Sequence, residues 1–134
     1  MPLESRPFHR PALAARLRLC SLAAALCAAL VAPVSADELQ DANQFLRQGQ
    51  HAQALDKVNQ YLASRPRDAQ GRFLKGLILT EQNKMAEAID IFTKLTQDYP
   101  ELPEPYNNLA VLYAAQGQYE RARQALEMSI RTHP

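Results

Sequence analysis

The chain contains no tryptophan, only four glycines and only two cysteines among its 134 residues. With so little glycine, no phosphate-cradling loop is present: Gly49, Gly71, Gly76 and Gly117 are dispersed rather than gathered ahead of a helix. Both cysteines, Cys20 and Cys27, fall within the leading segment that ends at Ala36, so the remainder has no thiol, disulfide or thiolate metal ligand. In that remainder His51 and His133 stand far apart, with no second His or Cys at ligand spacing, so neither metal nor cofactor is expected. Glu101 and Glu104 are spaced like a carboxylate pair. They also sit at the start of a helix, where the aligned peptide dipoles favour negative charge without any catalytic role. No run of Lys or Arg exists to follow a phosphate backbone, which excludes nucleic acid as a partner. No catalytic constellation remains, and the chain is not expected to be an enzyme.

The leading segment has a different composition. Arg6, Arg10, Arg16 and Arg18 form a basic leader with no acidic residue after Glu4, and an apolar run follows from Leu19 to Ala32. Pro33-Val34-Ser35-Ala36 then offers small side chains ahead of Asp37. Basic region, short apolar region and small-residue cleavage site are the parts of a secretory signal peptide. The apolar run is clearly shorter than the roughly 20 residues of a helix that crosses a bilayer. The expected organisation is a signal peptide over 1–36 and a domain over 37–134, in the periplasm or secreted, with no membrane span after cleavage. Retention as an uncleaved inner-membrane anchor is the alternative. Removing the leader takes four arginines and one glutamate, so the net charge moves from +1 to −2.

From Asp37 onward one period governs the chain. Ala54, Ala88 and Ala122 recur at a constant step of about 34 residues, and so do Pro66, Pro100 and Pro134. Ala42, Gly76 and Ala110 keep the same step, as do Gly49, Asn83 and Gly117. A fixed period of this length means one supersecondary unit copied in tandem. Strong helix formers dominate the intervals. Gly49, Asn83 and Gly117 end first helices, since Gly and Asn tolerate the left-handed conformation there. The three prolines close second helices, and Asp68 is placed to cap the helix that follows Pro66. Three hairpins follow: Asp37–Gln48 with His51–Ser64, Asp68–Gln82 with Lys84–Asp98, and Glu104–Gln116 with Gln118–Thr132. Bulky Phe45, Leu79 and Tyr113 on the first helices, and Val58, Phe92 and Leu126 on the second, are expected to fill the space beside the small residues.

These residues resemble the tetratricopeptide repeat family. The third repeat carries its signature in Tyr106, Leu109, Ala110, Tyr113, Ala122, Leu126 and Pro134. The second keeps Gly76, Leu79, Ala88, Phe92 and Pro100, and the first keeps Ala42, Phe45, Ala54, Val58 and Pro66. Arg72 and Lys75, and Glu38 and Asp41, depart from it where an aromatic and a leucine are usual. The resemblance implies an all-α fold, a right-handed superhelical array of three antiparallel helix-turn-helix hairpins, with repeats at about 37–67, 68–101 and 102–134. The first repeat would serve as a polar cap. The chain stops at the proline that closes a repeat, and the expectation is that the natural protein continues beyond Pro134.

The resemblance also implies a function carried by a surface. First helices of such arrays line a concave groove that receives an extended peptide or a helix. By position that groove presents Leu39, Asn43 and Arg47, then Phe73, Leu77 and Glu81, then Asn107, Asn108 and Val111. Asn43 and Asn108 are placed to hydrogen-bond a peptide backbone. Phe73 and Leu77 offer an apolar floor or, equally, packing against the next hairpin. The basic clamp of chaperone-binding members is absent, because Leu39, Asn43, Leu74, Glu104 and Asn108 occupy its positions. The leading expectation is a non-enzymatic adaptor or scaffold that binds a protein or peptide of an envelope complex. A recognition segment of a larger exported protein, with its active part beyond Pro134 and cell-wall related, is the second reading. Self-association through the uncapped third repeat is a further one.

The leader generates a direct test. Mass spectrometry of the protein made in a secreting bacterial host is expected to give a chain beginning at Asp37. Intact protein from Met1 in the membrane fraction would overturn both cleavage and the periplasmic assignment.

Overall fold

The computed structural model describes residues 36–133, and the signal-peptide assignment and Pro134 lie outside them. Six α-helices follow in order: α1 Ala36–Arg47, α2 His51–Ser64, α3 Ala69–Glu81, α4 Met85–Asp98, α5 Pro103–Ala115 and α6 Tyr119–Thr132. The described residues contain no strand. Helices of 12 to 14 residues are marginal in isolation, so packing holds them. Each packs on its neighbours in sequence, giving hairpins α1–α2, α3–α4 and α5–α6, and α1 also touches α3.

Every first helix closes in one way. Gly49, Asn83 and Gly117 take φ of 73°, 60° and 73°. Their amides donate to Leu46, Thr80 and Ala114 carbonyls at 3.0, 2.9 and 3.0 Å. The next amides, of Gln50, Lys84 and Gln118, reach back to Phe45, Leu79 and Tyr113 at 2.9, 2.9 and 2.8 Å. This paired pattern is a Schellman motif, which satisfies carbonyls that a helix end otherwise leaves open. Asp68 caps α3 as its sequence position implies, its carboxylate accepting from the Gly71 amide at 2.8 Å. Arg65 and Tyr99, each before a proline, leave the helical region at φ −136° and −134°, as proline requires of its predecessor.

Two apolar clusters share α3. Leu74 and Ile78 join Leu39, Ala42, Ala54, Val58 and Tyr61 of the first hairpin. Leu79 joins Phe92, Leu95, Leu109 and Tyr113 between the second and third. Glycines mark the closest approaches. A Cβ on Gly76 would lie 2.6 Å from the Phe92 ring, and one on Gly71 would lie 2.8 Å from Tyr61. Two of the departures from the family pattern become ion pairs: Arg72 holds Asp98 at 2.7 Å and Asp41 lies 3.8 Å from Lys57.

One packing expectation fails. Leu126 is 47% exposed, whereas Val58 and Phe92, at the equivalent places, are fully enclosed. Val58 packs in a cluster with α3 residues, and Phe92 in a cluster with α5 residues; no described helix follows α6 to do the same. Among the described residues the exposed large apolar side chains, Val111, Tyr119, Leu126, Met128 and Ile130, all lie in this third hairpin.

Gly76→Ala gains about 0.5–1 kcal/mol of helix propensity but drives a methyl group into the enclosed Phe92 ring. Overpacking costs about 1–3 kcal/mol, so a net loss is expected. Ala88→Leu, at a fully buried position in the same hairpin, is expected to lose a similar amount, about 1–3 kcal/mol. Thermal melts followed by circular dichroism check both; unchanged midpoints would mean that neither site is a tight contact.

Candidate protein-interaction groove

The face built by α1, α3 and α5 carries two neighbouring depressions. The first, about 450 Å³, is lined by Leu39, Gln40, Asn43 and Arg47 of α1 and by Gln70 of α3. The i, i+4 spacing of Leu39, Asn43 and Arg47 brings them onto one side of α1. The second, about 340 Å³, is an apolar slot between the starts of α3 and α5, with Ala69, Gln70 and Phe73 on one side and Leu102, Glu104 and Pro105 on the other. Leu95 of α4 closes its floor. Gln70 borders both, so cleft and slot are neighbours across its side chain.

The expected groove residues divide accordingly. Leu39 belongs mainly to the first core cluster and shows only an edge in the cleft. Phe73 is half-buried, edge-on to Phe92 with ring centres 5.6 Å apart and planes at 61°, and its free side lines the slot. Phe73 thus both packs against Phe92 and lines the slot. Leu77 packs against the second cluster. Glu81, Asn107 and Val111 are exposed and Asn108 is half-buried. The two asparagines are not free amides. Asn43 Nδ2 donates to the Leu39 carbonyl at 3.2 Å, and Asn108 Nδ2 donates to the Glu104 carbonyl at 2.9 Å. Asn side chains compete for nearby backbone in this way; each keeps its Oδ1 acceptor and a second N–H for a ligand.

Gln70, Leu102 and Pro105 fall outside the groove set that the sequence implies. Gln70 carries a signal, lying three residues before Phe73 on the same helical face. Leu102 and Pro105 carry none, since their wall exists only once the turn at 99–102 is folded. Tyr106 helps to set that turn, its hydroxyl 3.4 Å from the Pro100 carbonyl.

A wider depression, about 580 Å³, lies between α3 and α4 and is lined in part by Lys75, Glu87, Asp90 and Lys94. It is open, and its charges are of both signs, with Lys94 held by Asp90 at 2.8 Å. Its charges balance, and Leu79, Ala86 and Ile91 give it an apolar part. Among the described residues no three His, Cys, Asp or Glu side chains gather as a metal site.

Tetratricopeptide repeat profiles match residues 39–103 and 79–134. Residues 39–134 carry tetratricopeptide repeats. No curated protein sequence matches it. Among solved structures it is similar to MamA, with a TM-score of 0.67 and 18% identity over 72% of this chain and 57% of that one. It is also similar to YrrB, described as a TPR protein with an unusual peptide-binding site, with a TM-score of 0.67 and 23% identity over 72% of this chain and 50% of that one. At such identities these likenesses establish the tetratricopeptide fold alone. The chain spans between half and six-tenths of the length of these two relatives.

Proposed function

We propose that this tetratricopeptide repeat protein is an exported adaptor that holds an extended segment of an envelope protein along the face of α1, α3 and α5. The observation that carries the reading is the adjacency of cleft and slot, which share Gln70. A path that runs across successive first helices suits a strand-like peptide better than a compact ligand. Rigid walls favour it, because ordering entropy is then lost by the peptide alone. The basic leader and short apolar run support export, and the peptide-binding site described for YrrB supports the choice of ligand class. In a second reading the same groove is the recognition segment of a larger exported protein. The uncovered Leu126 and Ile130 of α6 favour that reading, since in such an array a further hairpin covers this face.

Photo-cross-linking in intact cells tests the placement. With p-benzoylphenylalanine in place of Gln70, a protein adduct is expected in the envelope fraction. The same group in place of Lys94, on the α3–α4 depression, is expected to give none. Adducts from position 94 and none from position 70 would move recognition to the outer face.

A further inference from the structure

The slot between α3 and α5 is more selective than the groove around it. Its floor, Leu95, is fully buried. Its Phe73 wall is fixed from behind, because that ring stands edge-on to Phe92 and Phe92 is itself enclosed against Gly76. Opposite, Pro105 is fully buried at the start of α5 and its ring has no φ freedom. The walls are therefore set before a ligand arrives. An apolar concavity of about 340 Å³ has room for one large side chain, and burying such a group is what drives binding there.

The slot's own charged lining is acidic, while Arg67, exposed before α3, lies on a separate depression with Asp98 and Tyr99. Glu104 borders the slot and Glu101 adjoins Leu102; both are exposed. Neither is paired with a cation among the described residues, where the salt bridges are those of Asp41, Arg72, Lys94 and Arg123. The arginine in this part of α3, Arg72, is taken by Asp98. At the far end of the path Arg47 is exposed on α1, so the groove is acidic at its α5 end and basic at its α1 end.

We propose, on the basis of the groove reading, that the slot is the anchor subsite and takes one bulky apolar side chain flanked by lysine or arginine. The flanking cation meets Glu104, and the ligand backbone then passes Gln70 towards Asn43 and Arg47.

The test uses ¹⁵N-labelled protein and three synthetic seven-residue peptides of glycine and serine, with capped ends. Their central three residues are lysine-phenylalanine-lysine, aspartate-phenylalanine-aspartate or lysine-alanine-lysine. The first is expected to shift the amides of Ala69, Phe73, Leu102 and Glu104. The aspartate peptide is expected to bind roughly fivefold more weakly, the size of one partly exposed charge contact. Loss of the aromatic ring is expected to weaken binding about tenfold or more. Glu104→Lys, at an exposed position and with its helical signal checked by circular dichroism, should reverse the order of the two aromatic peptides. Equal binding of the lysine and aspartate peptides, or no shift at the slot at millimolar peptide, overturns the anchor subsite. Shifts confined to Asn43, Arg47, Asn107 and Val111 overturn it too but leave the groove reading standing. Shifts confined to α2, α4 and α6 overturn both.

Discussion

The structure depends on the contact between Gly76 and Phe92. A side chain on Gly76 has no room, because the Phe92 ring lies 2.6–3.0 Å from where its Cβ would sit. This brings α3 and α4 together in the middle hairpin, which has a neighbour on either side and so supplies both apolar clusters. The consequence reaches the surface through one more contact. Phe92, held against Gly76, presents its ring to Phe73, and Phe73 forms a wall of the slot. Site geometry is therefore set by backbone approach in the core, which is how a short array of marginal helices presents a rigid surface.

A second constraint keeps the hairpins in step. Three Schellman turns, each one repeat on from the last, close three first helices with the same pair of hydrogen bonds. Gly49 and Gly117 take positive φ without steric cost, and Asn83 is the residue other than glycine best suited to it. With no spare residue in the turn, the second helix must start against the first, and Ala54, Ala88 and Ala122 arrive at the interface in the same register. At the other junction a pre-proline residue held out of the helical conformation does the same for the step between hairpins. Near Tyr99 that step is also tied by a hydrogen bond from its hydroxyl to the Arg67 carbonyl at 2.6 Å.

Much of this was legible in the sequence, for a physical reason. Periodicity, turn residues, the Asp68 cap and the pairing of small with bulky positions are properties of single hairpins, and a hairpin is local in sequence. What stayed hidden depends on more than one unit. Leu126 reads as core because its own hairpin places it like Phe92, but its burial needs a helix beyond α6. The slot wall at Leu102 and Pro105 meets Phe73 only after the whole of α4 has intervened, through a turn whose path no pattern announces. Asn43 and Asn108 lay on the expected face, yet spacing could not show that each amide folds back on its own helix, because both uses lie on the same side of it.

The two ends of the array differ in a way that bears on what stacks against them. At the places where α3 presents buried Leu74 and Ile78 to the hairpin before it, α1 presents exposed Gln40 and Gln44. Two glutamines gain little from leaving water, since amides buried without partners cost more than the contact returns. The α1 face thus has the polar character of a capping repeat. The α6 face has the opposite character, with Leu126 and Ile130 exposed where Phe92 of α4 is buried and Thr96 half-buried. Head-to-tail stacking of copies would place the polar α1 face on the apolar α6 face, burying glutamine against leucine. That mismatch disfavours open-ended growth, which heterologous contacts otherwise permit. An element able to cover Leu126 and Ile130 would need an apolar stripe of the kind α3 carries, and α1 of a second copy does not have one.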